Sequence, residues 1–277
     1  MKIGILISSE RKKGNCETLA NYIKKKFKDL YFELIFLRDF EIKECDGCMR
    51  CVFKKEKCKI DDDLYKIIDI IIKNDALILI APTYVLTIPG KLKMVIDRFL
   101  CIYEIIKDLK IRPAMSIGVA SPIDWDQFEL PFMNIFLLSL GYRIVDSFLI
   151  YGAGPGEVLL DENLYKIDEG INKILNFEEK PYESVISDGC PVDYNKNFEH
   201  IEGEKFRCPV CLSSCYLKDN KFYFNGDDLN KNRWTKEKMK EHFEEWILKT
   251  KERFIKLLPE IRKRKKLRLI NLLKTNH

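Results

Sequence analysis

The chain has 277 residues, 46% hydrophobic and 33% charged, which excludes a disordered or fibrous protein and suits one ordinary domain plus an appendage. No apolar run approaches the roughly 18 residues of a membrane span, and the stretch Met1–Ser8 is too short for a signal peptide, so a cytoplasmic protein without membrane insertion is expected. The net charge of +5 is uneven, because residues 251–277 carry ten Lys/Arg against two Asp/Glu and leave the rest mildly acidic, which weakens a case for nucleic acid from global charge.

In chain order, Lys2–Ser8 reads as a strand, Asn15–Lys28 as a helix and Tyr31–Leu37 as a strand. Asp61–Asp75 has apolar residues at helical spacing behind an acidic first turn, and Ala76–Ala81 is a continuous apolar run, as a buried parallel strand would be. Gly90–Lys107 reads as a helix, Ala114–Ala120 as a strand, Gln127–Leu140 as a helix, Tyr142–Ile150 as a strand and Leu160–Phe177 as a last helix. The alternation predicts an α/β fold, a doubly wound five-stranded parallel sheet over residues 1–178. Residues 179–277 read as a loop-rich and helical extension. Its helix is expected over Thr235–Leu258, with one buried stripe at 239, 243, 246, 247, 254, 257 and 258, kinked or ended by Pro259.

The first strand runs into Ser8-Ser-Glu-Arg-Lys-Lys-Gly-Asn-Cys-Glu-Thr18 before the first helix. Such a junction offers free N–H groups and a positive dipole end to a phosphate. Ser9, Asn15 and Thr18 add neutral donors and Arg11 a fixed cation, while an ordinary polar turn with Asn15 as helix cap is the plainer reading. In the flavodoxin-like strand order the ligand sits between strands 1 and 3. The loop after strand 3, Pro82-Thr83-Tyr84-Val85-Leu86-Thr87-Ile88-Pro89-Gly90, is uncharged and suits the edge of a flat heterocycle. A phosphate cradle on one loop and a neutral ring site on the next describe FMN.

Ten cysteines against three histidines point to metal or redox chemistry rather than disulfides or histidine-based triads. Cys45, Cys48, Cys51 and Cys58 stand at C-x2-C-x2-C-x6-C spacing on a polar connection of about twenty residues, long enough to be functional. Four thiolates there suit an iron–sulfur cubane, with zinc as the alternative. Gly47 allows a tight wrap, and Arg50, Lys54, Lys55 and Lys57 offset the charge.

Ser9-x-Arg11-x-x-Gly14-Asn15, the cysteine run ending in Cys58-x-x-Asp61-Asp62, and Pro82-Thr-Tyr84 with Lys93-x-x-x-Asp97-Arg98 resemble the iron–sulfur flavoproteins, a branch of the NADPH-dependent FMN reductase-like, flavodoxin-fold superfamily. Glu10 and Cys16 stand where relatives often have Pro and Ser or Thr. The resemblance implies FMN on the first loop, Cys16 included, and on the Pro82–Pro89 loop, with a 4Fe-4S cluster on the four cysteines. It also implies a homodimer or dimer of dimers that transfers electrons, with a ferredoxin-like donor. An NAD(P)H-dependent FMN or quinone reductase, its cysteines structural or zinc-bound, is the rival; a nucleic-acid-associated redox sensor is a second.

Cys208-Pro-Val-Cys211 looks like the first knuckle of a zinc ribbon whose second C-x2-C is missing. Cys215 is the expected third ligand, Cys190 a further one, and His200 or His242 less suited; a metal-free knuckle is the alternative. Cys101 reads as core. The run Arg262-Lys-Arg-Lys-Lys266 with Arg268, in the basic tail 259–277, reads as a solvated helix face or as a docking site for an acidic redox partner or for nucleic acid.

Overall fold

Along the first strand Ile3, Ile5 and Ile7 turn to one side and Leu6 to the other, and all four are buried. A strand buried on both faces needs helices on both faces, and the rest of the chain supplies them. The computed structural model describes residues 1–121 and 123–274, with side chains as far as residue 266.

In chain order the elements are β1 (Lys2–Ile7), α1 (Asn15–Lys26), β2 (Tyr31–Phe36), α2 (Arg50–Phe53), α3 (Leu64–Ile72), β3 (Ala76–Pro82), α4 (Gly90–Ile96), α5 (Tyr103–Ile106), β4 (Arg112–Ala120), α6 (Glu129–Ser139), β5 (Tyr142–Tyr151) and α7 (Asp161–Leu175). The extension adds β6 (Val185–Ser187), β7 (Glu199–Glu202), β8 (Lys205–Arg207), β9 (Ser214–Lys218), β10 (Lys221–Phe224), α8 (Gly226–Leu229), α9 (Lys236–Lys240) and α10 (Ile247–Lys274). The first sheet is parallel throughout in the order β2-β1-β3-β4-β5, the flavodoxin-like winding. One apolar cluster joins it to α1 and α7, and another to α3, α4 and α6. On α3, Leu64, Ile67, Ile68 and Ile71 all face the sheet, each burial stabilising by about 1.5–3 kcal/mol.

Four expectations change. The helix expected over Gly90–Lys107 breaks after Ile96, where Arg98 turns inward to pair with Asp62. The loop-rich stretch folds into a second, antiparallel sheet, β6-β10-β9-β8-β7, whose strands of three to five residues are too short for a clear period. Its β9–β10 hairpin turns at Asp219 and Asn220, both left-handed at φ +49° and +59°.

The last helix does not end at Pro259. It runs from α9 through a π-helical segment at 241–246 into α10, and the proline forgoes one ladder bond. The expected buried stripe is only part-covered: Phe243 stacks on Tyr103 at 4.2 Å, but Trp246 is 65% exposed and Phe254 and Leu257 are exposed too. Residues 262–266 are exposed, and the side chains from Leu267 on, Arg268 included, lie outside the described residues. No described helix is long and apolar enough to cross a membrane.

Candidate functional site

The carboxyl ends of β1 and β3, adjacent strands, carry the two loops read as a ligand site, and the loop after β4, the neighbour of β3, lies beside them. Ser8 donates its N–H to Ile80 across the β1–β3 boundary at 2.9 Å. The hydroxyls of Ser8 and Thr83, one on each loop, are buried without a hydrogen-bond partner. A buried polar group left so costs about 1–3 kcal/mol, so these hydroxyls fit the polar groups of a ligand. The first ladder bond of α1 runs from Thr18 N–H to Gly14, and no side chain caps the helix. Its amino end therefore keeps the character of an anion site. Ser9 is buried, Arg11 exposed and Thr18 half-buried. A Cβ at Gly14 would come within 3.2 Å of the Arg11 stem, so the glycine makes room for Arg11 to fold over the helix start.

Two residues of the cradle behave differently from expectation. The Asn15 amide donates to Gly152 and Gly154 at 3.0 and 3.1 Å and accepts from Gly156 N–H at 2.9 Å. It fastens the first loop to the loop after β5 and is neither a free donor nor the cap, which is Gly14. Cys16 points into the core against α1 and β1, and burial, with Glu129 nearby, pushes its thiol up to about 12. Asn15→Ala should cost about 2–3 kcal/mol and weaken FMN binding, because it strands backbone groups of the 152–156 loop. Thermal melting and a flavin fluorescence titration measure the two effects.

The loop after β3 is a tight hairpin. Tyr84 and Thr87 exchange backbone hydrogen bonds at 2.7 and 3.3 Å, with Val85 and Leu86 both left-handed at φ +48° and +70°. For a β-branched residue that conformation is strained, and Val85 is also 85% exposed. Pro82 ends β3 and Thr83 donates its N–H to Val119 of β4 at 3.0 Å. The third loop joins in, since Phe128 N–H bonds to Leu86 at 2.9 Å. Tyr84, Trp125 and Phe128 are exposed around this edge, an apolar platform suited to a flat ring. Trp125 was not singled out by any sequence pattern.

Glu129, the first residue of α6, is fully buried and neither carboxylate oxygen has a partner. Burial, and secondarily the charge of Asp126, raise it to about 8, so it is protonated at neutral pH. It packs over Gly118 of β4, where a Cβ would come within 3.0 Å of its Cγ.

The cysteine loop leaves β2 and returns to α3. Gly47 is left-handed at φ +65°, as a tight wrap requires, and α2 carries Cys51 inward. Cys45, Cys48, Cys51 and Cys58 line one cavity, together with Arg98 and Cys101. Cys101, expected as plain core, is a fifth thiol there, raised to about 11 by burial. Burial raises Cys51 as well, followed by the neighbouring Cys58, Cys48 and Cys45. Tyr65 accepts the Cys58 N–H at 2.9 Å. Asp62 takes N–H bonds from Lys43 and Leu64 at 2.8 and 3.2 Å and pairs with the buried Arg98. Of the basic residues, Arg50 pairs with Glu56 and Lys54, Lys55 and Lys57 are exposed.

The C-terminal knuckle gathers differently from the expected set. Cys208 and Cys211 come together with Cys190 and Asp193, and Cys215 stays outside that group on β9, opposite Phe206 and Phe224. His200 is exposed and held by Gly203, and His242 is exposed on the helix.

The family of NADPH-dependent FMN reductases matches residues 1–145. An iron-sulfur flavoprotein of Archaeoglobus fulgidus is 30% identical over 190 residues, 68% of this chain and 85% of that protein. One from Methanosarcina thermophila is 31% identical over 123 residues, 43% of this chain and 63% of that protein. A solved flavone reductase shares the fold at a TM-score of 0.66 and 15% identity, over 96% of each chain, so its architecture includes the extension.

Proposed function

The chain belongs to the NADPH-dependent FMN reductase family, and from that premise we propose that this flavin-dependent oxidoreductase transfers electrons as an iron–sulfur flavoprotein does. FMN, when bound, exchanges one or two electrons and a 4Fe-4S cluster one at a time, so the pair would link a ferredoxin-like donor to a two-electron acceptor. The observation that carries the reading is the convergence of Cys45, Cys48, Cys51 and Cys58 on one cavity.

The chain's own residues serve that role in distinct ways. The amino end of α1 with Ser9, Arg11 and Thr18 would hold the phosphate. Pro82, Thr83, Tyr84, Val85 and Thr87 would hold the ring, with Trp125 and Phe128 beside them. Arg98 and Asp62 fix the cysteine loop, and Glu129, packed over Gly118 of β4, keeps a proton at neutral pH. The wider assembly we propose is a homodimer or dimer of dimers.

An anaerobic visible spectrum before and after dithionite tests the reading. Flavin bands over a broad, reducible shoulder are expected. Cys51→Ser should remove the shoulder and the iron while the flavin bands stay. Flavin bands alone, in protein never exposed to air, would leave the NAD(P)H-dependent FMN or quinone reductase as the function.

A further inference from the structure

We propose that Cys190, Asp193, Cys208 and Cys211 bind one structural zinc ion that locks the C-terminal extension onto the flavin domain. The four ligand atoms lie within 4.8 Å of one another and all four residues are buried. Two sulfurs on a single zinc lie at most about 4.6 Å apart, given bonds of about 2.3 Å each, and a cubane would spread them further. The Cys190 and Cys211 sulfurs are 3.4 Å apart, and the Cys208 sulfur is 3.2 and 3.3 Å from the Asp193 carboxylate oxygens.

The backbone carries an independent sign. Cys190-Pro-Val-Asp193 and Cys208-Pro-Val-Cys211 are the same four-residue motif with Asp in place of the last Cys. They also fold alike. The N–H of the next residue returns to the first carbonyl in both, Tyr194 to Cys190 and Leu212 to Cys208, each at 2.8 Å. Those two residues are left-handed, at φ +57° and +67°. The first residue's N–H reaches forward in both, Cys190 to Asn195 at 2.9 Å and Cys208 to Ser213 at 3.0 Å. The following N–H points at the last ligand atom in both: Asn195 at Asp193 Oδ1, 3.0 Å, and Ser213 at Cys211 Sγ, 3.5 Å. Two matching knuckles, each presenting two ligands and N–H groups to them, form the frame of a tetrahedral site.

The chemistry asks for a cation. Four acidic groups share a dry space, and among the described residues no Lys, Arg or His bonds to any of them. A divalent ion would neutralise these groups together, held by thiolates and a carboxylate. Three thiolates and a carboxylate select zinc over magnesium or calcium, which prefer oxygen throughout. Four protein ligands leave no open position, so the ion would be structural.

Its mechanical effect follows from the neighbours. The Asp193 carbonyl accepts from Asn134 of α6 at 2.7 Å, and Asn134 in turn bonds Ser116 of β4 and Ser147 of β5. Trp234 bonds the Val210 carbonyl of the other knuckle at 3.0 Å. One ion thus joins the loop after β6, held against α6 through Asn134, to the loop between β8 and β9, held by Trp234 just before α9.

Elemental analysis of the full chain, purified anaerobically without added metal, tests this. About one zinc per chain is expected. Cys208→Ser should lose the zinc with iron and flavin unchanged, and Cys51→Ser should lose the iron with zinc unchanged. Asn195→Ala, which removes the amide 3.7 Å from Cys208 Sγ, should weaken zinc about 10- to 100-fold in chelator competition. That variant and wild-type zinc content decide the matter if Cys208→Ser does not fold. Wild-type protein with no zinc and a protease-resistant extension would overturn the proposal, as would iron in the site of Cys51→Ser protein.

Discussion

Arg98→Met should destabilise the protein by about 3–5 kcal/mol and strip the iron we propose for the cysteine loop. Arg98 is only 2% exposed and its pair with Asp62 lies wholly inside. Burial raises Asp62, but the Lys43 N–H and the Arg98 guanidinium outweigh it and hold the carboxyl below its ordinary range. Removing the guanidinium leaves a buried charge with backbone donors alone, the costly way to break such a pair. Asp62 bonds Lys43 and Leu64, the two ends of the segment that carries the cysteines, so the loop loosens with it. The double variant Arg98→Met/Asp62→Leu should recover most of the stability, because no charge is left buried. Urea unfolding and iron per chain measure both. If the single and double variants were equally unstable, the charge argument would fail and lost packing would be the cause.

Glu129→Gln should flatten a pH dependence that wild-type protein shows between pH 5 and 8. The carboxyl is held near pH 8 in the fold against about 4.5 when unfolded. Between those values the folded state keeps a proton that the unfolded state has released. Stability is therefore fully present below pH 4.5 and falls as pH rises, by about 4 kcal/mol at pH 8 at 1.36 kcal/mol per unit. Gln keeps the shape without the titration, so the two proteins should be similar at pH 5 and the variant more stable at pH 8. Groups elsewhere titrate in both and cancel. Parallel profiles across that range would mean that Glu129 is ionised in the folded protein.

Much of this was legible in the sequence where one physical demand dominated. Ala76–Ala81 has to be a central strand because both its faces are apolar, and it is buried throughout. The cysteine spacing showed itself because four thiols in fourteen residues are far above background, and the fold lines one cavity with them. Asn15 was misjudged because a helix-start asparagine commonly caps its own helix, while here its partners are some 140 residues away. Glu129 carried no mark, since only the packing of α6 on Gly118 closes water out. The second knuckle was hidden by one substitution, Asp193 for cysteine, within an otherwise repeated Cys-Pro-Val. Pro259 was weighed by a local rule that the exposed helix overrides at the cost of one bond.

The apolar cluster over α3, α4 and α6 also contains Cys208, Val210, Cys211, Phe224 and Leu229. The parallel sheet and its helices are complete by α7, yet one of their faces finds its cover only after the next fifty or so residues. At a synthesis rate of about 5–20 residues per second, that face stays bare for about 3–10 s on the ribosome. The newborn chain thus passes through an interval in which it is folded and still sticky, and chaperones that recognise exposed apolar surface have their window then.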